Sequence, residues 1–166
     1  MPLKPIFALV LDDNAHMRAI IRVILAQFGC RRIEEAAECA EAVEIVRRGH
    51  IDMAFVDFKL GVSGGIDFCK RIRMQPLSPN ASLPIIMISG YCERSHVLSA
   101  VDAGVDEFLA KPVRAVDVAN RINAIINHRR PFIRSALYFG PDRRRREDPR
   151  WNGPWRRAAD PALIDT

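Results

Sequence analysis

The stretch Met53-Ala54-Phe55-Val56-Asp57-Phe58-Lys59 (MAFVDFK) runs an apolar segment straight into a carboxylate. A continuous apolar run of this length reads as a strand buried on both faces. An unpaired charge inside such a strand is expensive, so Asp57 is expected at its end. The same arrangement recurs along the chain. Ile6 to Leu11 (IFALVL) ends on Asp12-Asp13, Leu83 to Ile88 ends on Ser89-Gly90, and the short segment Asp106 to Ala110 ends on Lys111-Pro112. Cys30 to Ala36 is a weaker strand candidate, and Ile51 to Val56 contains the opening stretch.

Helical periodicity fills the intervals. Ala15 to Phe28 places Met17, Ile20, Ile21, Ile24, Leu25 and Phe28 at three- and four-residue steps, with Asn14 or Asp13 as N-cap and Gly29 as the stop. Cys39 to Arg48, a segment carrying Ile66, Phe68, Cys69 and Ile72, then Glu93 to Ala103, and last Val113 to His128 follow the same rule. Strict alternation of apolar strands with helices predicts an α/β fold, a (βα)5 doubly wound parallel sheet covered on both faces by right-handed crossovers. Ligands of such sheets bind at the carboxyl ends of the strands, near the point where strand order reverses.

Composition narrows the class. The chain has 166 residues, enough for one self-sufficient core and an appendage. Four scattered cysteines form no C-x-x-C pair and predict free thiols rather than disulfides or a metal clasp. The apolar N-terminus lacks a basic leader region, a cleavage site and the length of a membrane span, which predicts a cytoplasmic protein without a transmembrane segment. Residues 1–128 carry 15 Lys and Arg against 15 Asp and Glu, whereas residues 129–166 carry 10 Arg against 5 acids. The formal charge of +5 is therefore a property of the tail.

Asp12, Asp13, Asp57, Ser89 and Lys111 all fall at the ends of their own strands. Several carboxylates on one edge repel each other unless a cation joins them, and an incomplete cage of acids and water suits a hard cation, Mg2+ above all. A lysine and a hydroxyl beside a carboxylate nucleophile supply what an incoming phosphoryl group needs: position and neutralised charge. Each residue also has a plainer role, as helix cap for Asp12 or Asp13 and as turn residue for Ser89.

On these motifs, residues 5–128 resemble the receiver domain of two-component response regulators, similar to the stand-alone chemotaxis type. The resemblance rests on Asp12-Asp13, on Asp57 after its apolar strand, on Ser89 where the family places Thr or Ser, and on Lys111-Pro112, 22 positions beyond Ser89. It implies that Asp57 accepts a phosphoryl group from a histidine kinase or histidine phosphotransfer protein. It further implies that Asp13, Asp57 and the backbone carbonyl of Lys59 hold Mg2+, with Asp12 acting partly through water. Ser89 would turn towards the phosphoryl oxygen, Lys111 would pair with it across a cis bond to Pro112, and Phe108 would serve as an aromatic switch, unless it merely fills core. The protein would then be a signalling phosphoacceptor, catalysing only its own phosphorylation and dephosphorylation.

Two departures stand out. The loop Leu60-Gly61-Val62-Ser63-Gly64-Gly65 replaces the usual Met-Pro and Asp-Gly, predicting a looser turn, and Lys59 and Tyr91 occupy positions that tune phosphoryl lifetime, predicting slow decay. Haloacid-dehalogenase-type hydrolases share the aspartyl phosphate chemistry, but they carry an acid two residues after the nucleophile, where this chain has Lys59.

The domain is expected to end at residue 128, leaving 129–166 as a largely irregular tail rich in Arg, Pro and Gly, too broken for a DNA-binding output domain. The tail repeats G-P-x-R-R at Gly140 and Gly153, with Tyr138, Phe139, Trp151 and Trp155 among the arginines. Three roles are open to it: a solvated tail, a fold over the domain's own switching face, or a docking segment from Tyr138 to Arg157 for a downstream protein target, nucleic acid or an acidic surface. The alternative to phosphotransfer is a phosphorylation-independent scaffold whose basic aromatic tail does the binding.

Overall fold

The computed structural model describes residues 6–62, 64–74, 78, 80–90, 94–143 and 162–164. Five strands, β1 (Ile6–Leu11), β2 (Cys30–Ala36), β3 (Met53–Asp57), β4 (Ile85–Ser89) and β5 (Glu107–Ala110), alternate with helices α1 (Ala15–Gln27), α2 (Cys39–Arg48), α3 (Gly64–Met74), α4 (Arg94–Asp102) and α5 (Ala115–His128). All pairings are parallel, in the order β2-β1-β3-β4-β5, so the strand order reverses beside β1 and β3. This is the doubly wound sheet that the alternation predicts.

Two cores flank the sheet, and successive strand residues feed them in turn. Leu9, Leu11, Ala54, Val56, Ile85 and Met87 enter the core beneath α2, α3 and α4, while Ala8, Val10, Met53, Phe55, Ile86 and Ile88 enter the one beneath α1 and α5. The period of two is intact even in runs with no polar residue, because both faces are covered. Every residue of β3 and β4 is buried, which makes these strands a rigid mount for whatever follows them. Asn14 caps α1, its side chain accepting from the N–H groups of His16 and Met17 at 2.9 and 3.3 Å.

The C-terminal segment departs from expectation. Residues 129–143 are not irregular: β6 (Phe132–Ser135) and β7 (Tyr138–Pro141) form an antiparallel hairpin, and β8 (Ala162–Ile164) pairs with β6 on its other side. The hairpin packs against α3 and the turn between α4 and β5. Phe132 is fully buried, flanked by the guanidinium groups of Arg73 and Arg129 at 5.1 and 4.5 Å from its ring centroid. At Gly104 (φ +86°) and Gly140 the two backbones touch: a Cβ on Gly140 would lie 2.8 Å from the Gly104 Cα. Only glycines allow this approach.

Beneath the hairpin lies a network that no sequence motif announced. Asp106 accepts from Arg73 at 3.0 Å, from Arg129 at 3.1 Å and from the Ile85 N–H at 2.9 Å. Arg73 also donates to the carbonyls of Gly104 and Ala81, Arg129 to that of Ser82, and Arg130 to those of Asp106 and Asp142. Burial pulls the Arg73 guanidinium below its ordinary value, and Asp106 opposes that pull. The first G-P-x-R-R copy begins within β7, with the Asp142 N–H donating to Pro131 at 2.8 Å, while the second copy at 153–157 lies outside the described residues.

Candidate functional site

The turns after β1, β3, β4 and β5 bring Asp12, Asp13, Asp57, Ser89 and Lys111 to one edge, as their positions at strand ends require. Asp57 is the last residue of β3 and only 5% exposed, Asp12 is 1% exposed, and Asp13 is open to solvent. One oxygen from each of these three carboxylates lies within 4.8 Å of the others. Lys111 Nζ reaches Asp57 Oδ1 at 2.8 Å and Asp12 Oδ2 at 3.6 Å. Ser89 is buried at the end of β4, its carbonyl accepting from the Lys111 N–H at 2.8 Å, so hydroxyl and ammonium residues are fixed to adjacent strands. The peptide bond from Lys111 to Pro112 is cis.

The charges are poorly balanced. Burial raises the pKa of Asp57, Lys111 opposes the rise, and Asp12 and Asp13 reinforce it. Burial pulls Lys111 down, yet its hydrogen bonds and charge contacts with Asp57 and Asp12 leave it above its ordinary value. Asp12 Oδ2 is buried without a hydrogen bond. Three hard oxygen donors, one of them met only by the longer Lys111 ion pair at 3.6 Å, with a single lysine among them, fit a small divalent cation by charge and donor type.

The loop after β3 is tied down despite its glycines. Gly61 N–H donates to Asp13 Oδ2 at 3.2 Å, Gly64 N–H to the Leu60 carbonyl at 2.7 Å, and Gly65 N–H to the Phe58 carbonyl at 3.1 Å. A Cβ on Gly65 would sit 2.1 Å from the Asp57 carbonyl oxygen, so α3 starts this close to β3 only because that residue is glycine. The looseness that the loop composition predicts is offset by these bonds. Lys59 is exposed on this loop, and Tyr91 lies outside the described residues.

Phe108 is half-buried on β5 and borders a groove of about 120 Å³ lined also by Val97, Ala100, Val101 and Val105. His96 on α4 packs at a tilt against Phe58, the residue after Asp57, with ring centroids 4.6 Å apart. Tyr138 and Phe139, expected in a docking segment, are 5% and 7% exposed and face the domain, so neither ring is presented to a partner. Trp151, Trp155 and Arg157 lie outside the described residues. Burial pushes the Cys39 and Cys69 thiols up to about 11 and about 12, which leaves them protonated and unreactive at neutral pH. Among the described residues no helix is long and apolar enough to cross a membrane.

Comparison with known proteins agrees with this geometry. The family described as the response regulator receiver domain matches residues 8–123. The chemotaxis protein CheY of Bacillus subtilis is 34% identical over 119 residues, covering 72% of this chain and 96% of its own length. Chemotaxis protein CheY-3 of Vibrio cholerae is 28% identical over 117 residues, covering 70% of this chain and 88% of its own. Among solved structures, a response regulator described as putative from Chloroflexus aurantiacus superposes with a TM-score of 0.68 at 28% identity, over 74% of this chain and 98% of its own.

Proposed function

The chain belongs to the response regulator receiver family of two-component signalling, and from that premise we propose that it accepts a phosphoryl group on Asp57 from a histidine kinase or histidine phosphotransfer protein. The observation that carries the reading is the Lys111 ammonium 2.8 Å from a buried strand-end carboxylate that two further acids surround. In the reaction a carboxylate oxygen of Asp57 forms the new O–P bond as the donor's N–P bond breaks. Mg2+, held by Asp13, Asp57 and the Lys59 carbonyl with Asp12 assisting through water, would neutralise charge on the transferring oxygens.

This chain's own residues do the rest. β3 holds the nucleophile, buried among side chains that keep its strand from shifting. Lys111 passes from Asp57 to the phosphoryl oxygens and balances their charge. Ser89 offers a hydroxyl to one of those oxygens, and its movement vacates space for Phe108 to turn inward beside the groove that it borders. The altered surface around α4, β5 and α5 is then read by a downstream protein target.

Intact mass after incubation with a small phosphodonor and Mg2+ tests this reading. One added phosphoryl group, absent in Asp57→Asn and absent with EDTA, is the expected result. A folded protein that gains no mass would instead favour a scaffold that signals without phosphorylation.

A further inference from the structure

We propose that Arg18 is a positioning residue for the acid pair, setting the backbone on either side of Asp13 so that Asp12 and Asp13 meet the cation in register. The inference rests on the reading of these acids as Mg2+ ligands. Asp13 is exposed and sits in the short turn between β1 and α1, where its side chain is held by a hydrogen bond from the Gly61 N–H at 3.2 Å rather than by packing. Arg18, one turn into α1, supplies what the turn lacks. Its Nη1 donates to the Asp12 carbonyl at 2.8 Å and, more weakly, to the Asp13 carbonyl at 3.4 Å. Those two carbonyls belong to the peptide units on either side of the Asp13 Cα, whose orientation sets the direction in which its side chain leaves the backbone.

The guanidinium is itself held. Its Nε lies 3.2 Å from Glu35 Oε2 on β2, and Arg22 grips the other Glu35 oxygen at 3.4 Å. Arg18 thus braces the acid turn against the neighbouring strand, with its side chain 18% exposed. Two backbone donors complete the setting from the other side: Asn14 N–H on Asp12 Oδ1 at 2.8 Å and Gly61 N–H on Asp13 Oδ2 at 3.2 Å. Arg18 serves the carboxylate through Nε and the two carbonyls through Nη1, a separation of donors that a single ammonium nitrogen does not reproduce, so lysine is a poor substitute here.

The sign of the effect separates positioning from charge. Arg18 is a cation beside a cation site, so by Coulomb repulsion alone its removal strengthens Mg2+ binding. Loss of positioning weakens it, and removal of an outer partner of metal ligands typically lowers affinity by about 10–100-fold.

The experiment titrates MgCl2 calorimetrically into the natural chain, Arg18→Met, Arg18→Lys and Asp13→Asn, with amide hydrogen exchange followed in EDTA. The expected result is at least about tenfold weaker binding in Arg18→Met, little recovery in Arg18→Lys, and faster exchange at Asn14 and Gly61 while β3 stays protected. Unchanged or tighter binding in Arg18→Met, or full recovery in Arg18→Lys, overturns the inference. A natural chain that binds no Mg2+, indistinguishable from Asp13→Asn, overturns the metal reading and this inference together, a pattern distinct from a silent Arg18→Met beside a working natural chain.

Discussion

At the carboxyl edge of the sheet Asp57 meets two more acids and one lysine, whereas just outside the amino edge Asp106 meets two arginine side chains and a backbone N–H. The two aspartates are equally buried, 5% and 4% exposed, so burial does not distinguish them. Partners do. Both Asp106 oxygens are satisfied, one by Arg73 and Ile85 and the other by Arg129, and the network locks a hairpin onto the domain. Asp57 is held short of satisfaction, with like charges close by and one lysine shared with an Asp12 oxygen that has no hydrogen bond of its own, and that deficit is what a divalent cation and a phosphoryl group can exploit. The same residue type is therefore fully compensated at one edge and under-compensated at the other.

The largest expected effect comes from breaking the satisfied edge. Arg73→Met removes the fully buried cation that touches Asp106, Gly104 and Ala81, leaving an under-compensated buried carboxylate at a cost of about 3–5 kcal/mol. Denaturant unfolding measures the loss. Because the network lies across the sheet from Asp57, the fraction that remains folded should still take up one phosphoryl group from a small donor. Loss of uptake in folded Arg73→Met would mean that the two edges are coupled, not separate.

A smaller loss is expected from Phe132→Ala, about 3 kcal/mol, since the ring is fully buried between two guanidinium groups and lies edge-on to Phe139 at 5.4 Å. A change near zero by the same unfolding measurement would make the hairpin a detachable appendage, as the sequence suggested, rather than part of the domain.

The two edges also differed in how far the sequence disclosed them. Apolar runs ending on Asp13, Asp57, Ser89 and Lys111 placed the candidate site, because a parallel fold sends every such end to one side. Asp106 finds its partners 33 and 23 positions away, in α3 and beyond α5, where no local spacing links them. One sign was available: Arg73 stands seven residues after Ile66, on the apolar face of α3, where a charge needs a buried partner. The hairpin was hidden because its strands have only four residues each and lie among Arg, Pro and Gly, which read as loop. Arg18 and Gly61 act through backbone groups, which leave no motif.

The smallest expected effect has the opposite sign and depends on pH. Asp57→Asn forfeits the ion pair with Lys111, but it also removes a buried charge that Asp12 and Asp13 repel, and the raised pKa of Asp57 says that the second change outweighs the first. A carboxyl group whose folded pKa exceeds its unfolded one binds its proton more tightly when folded. Its contribution to stability is then fully present below the unfolded value, near about pH 4, and is lost as pH rises through the folded value. Without Mg2+ at pH 7, Asp57→Asn should accordingly be more stable than the natural chain by about 0.5–2 kcal/mol, and the gap should close as the pH falls below about 4. Millimolar Mg2+ at pH 7 should narrow it from the other side, by stabilising the natural chain more than the variant. Thermal melts at the two pH values, with and without Mg2+, measure all of this. A variant no more stable than the natural chain at pH 7 would mean that Lys111 compensates Asp57 as fully as the arginines compensate Asp106, and the contrast between the edges would vanish.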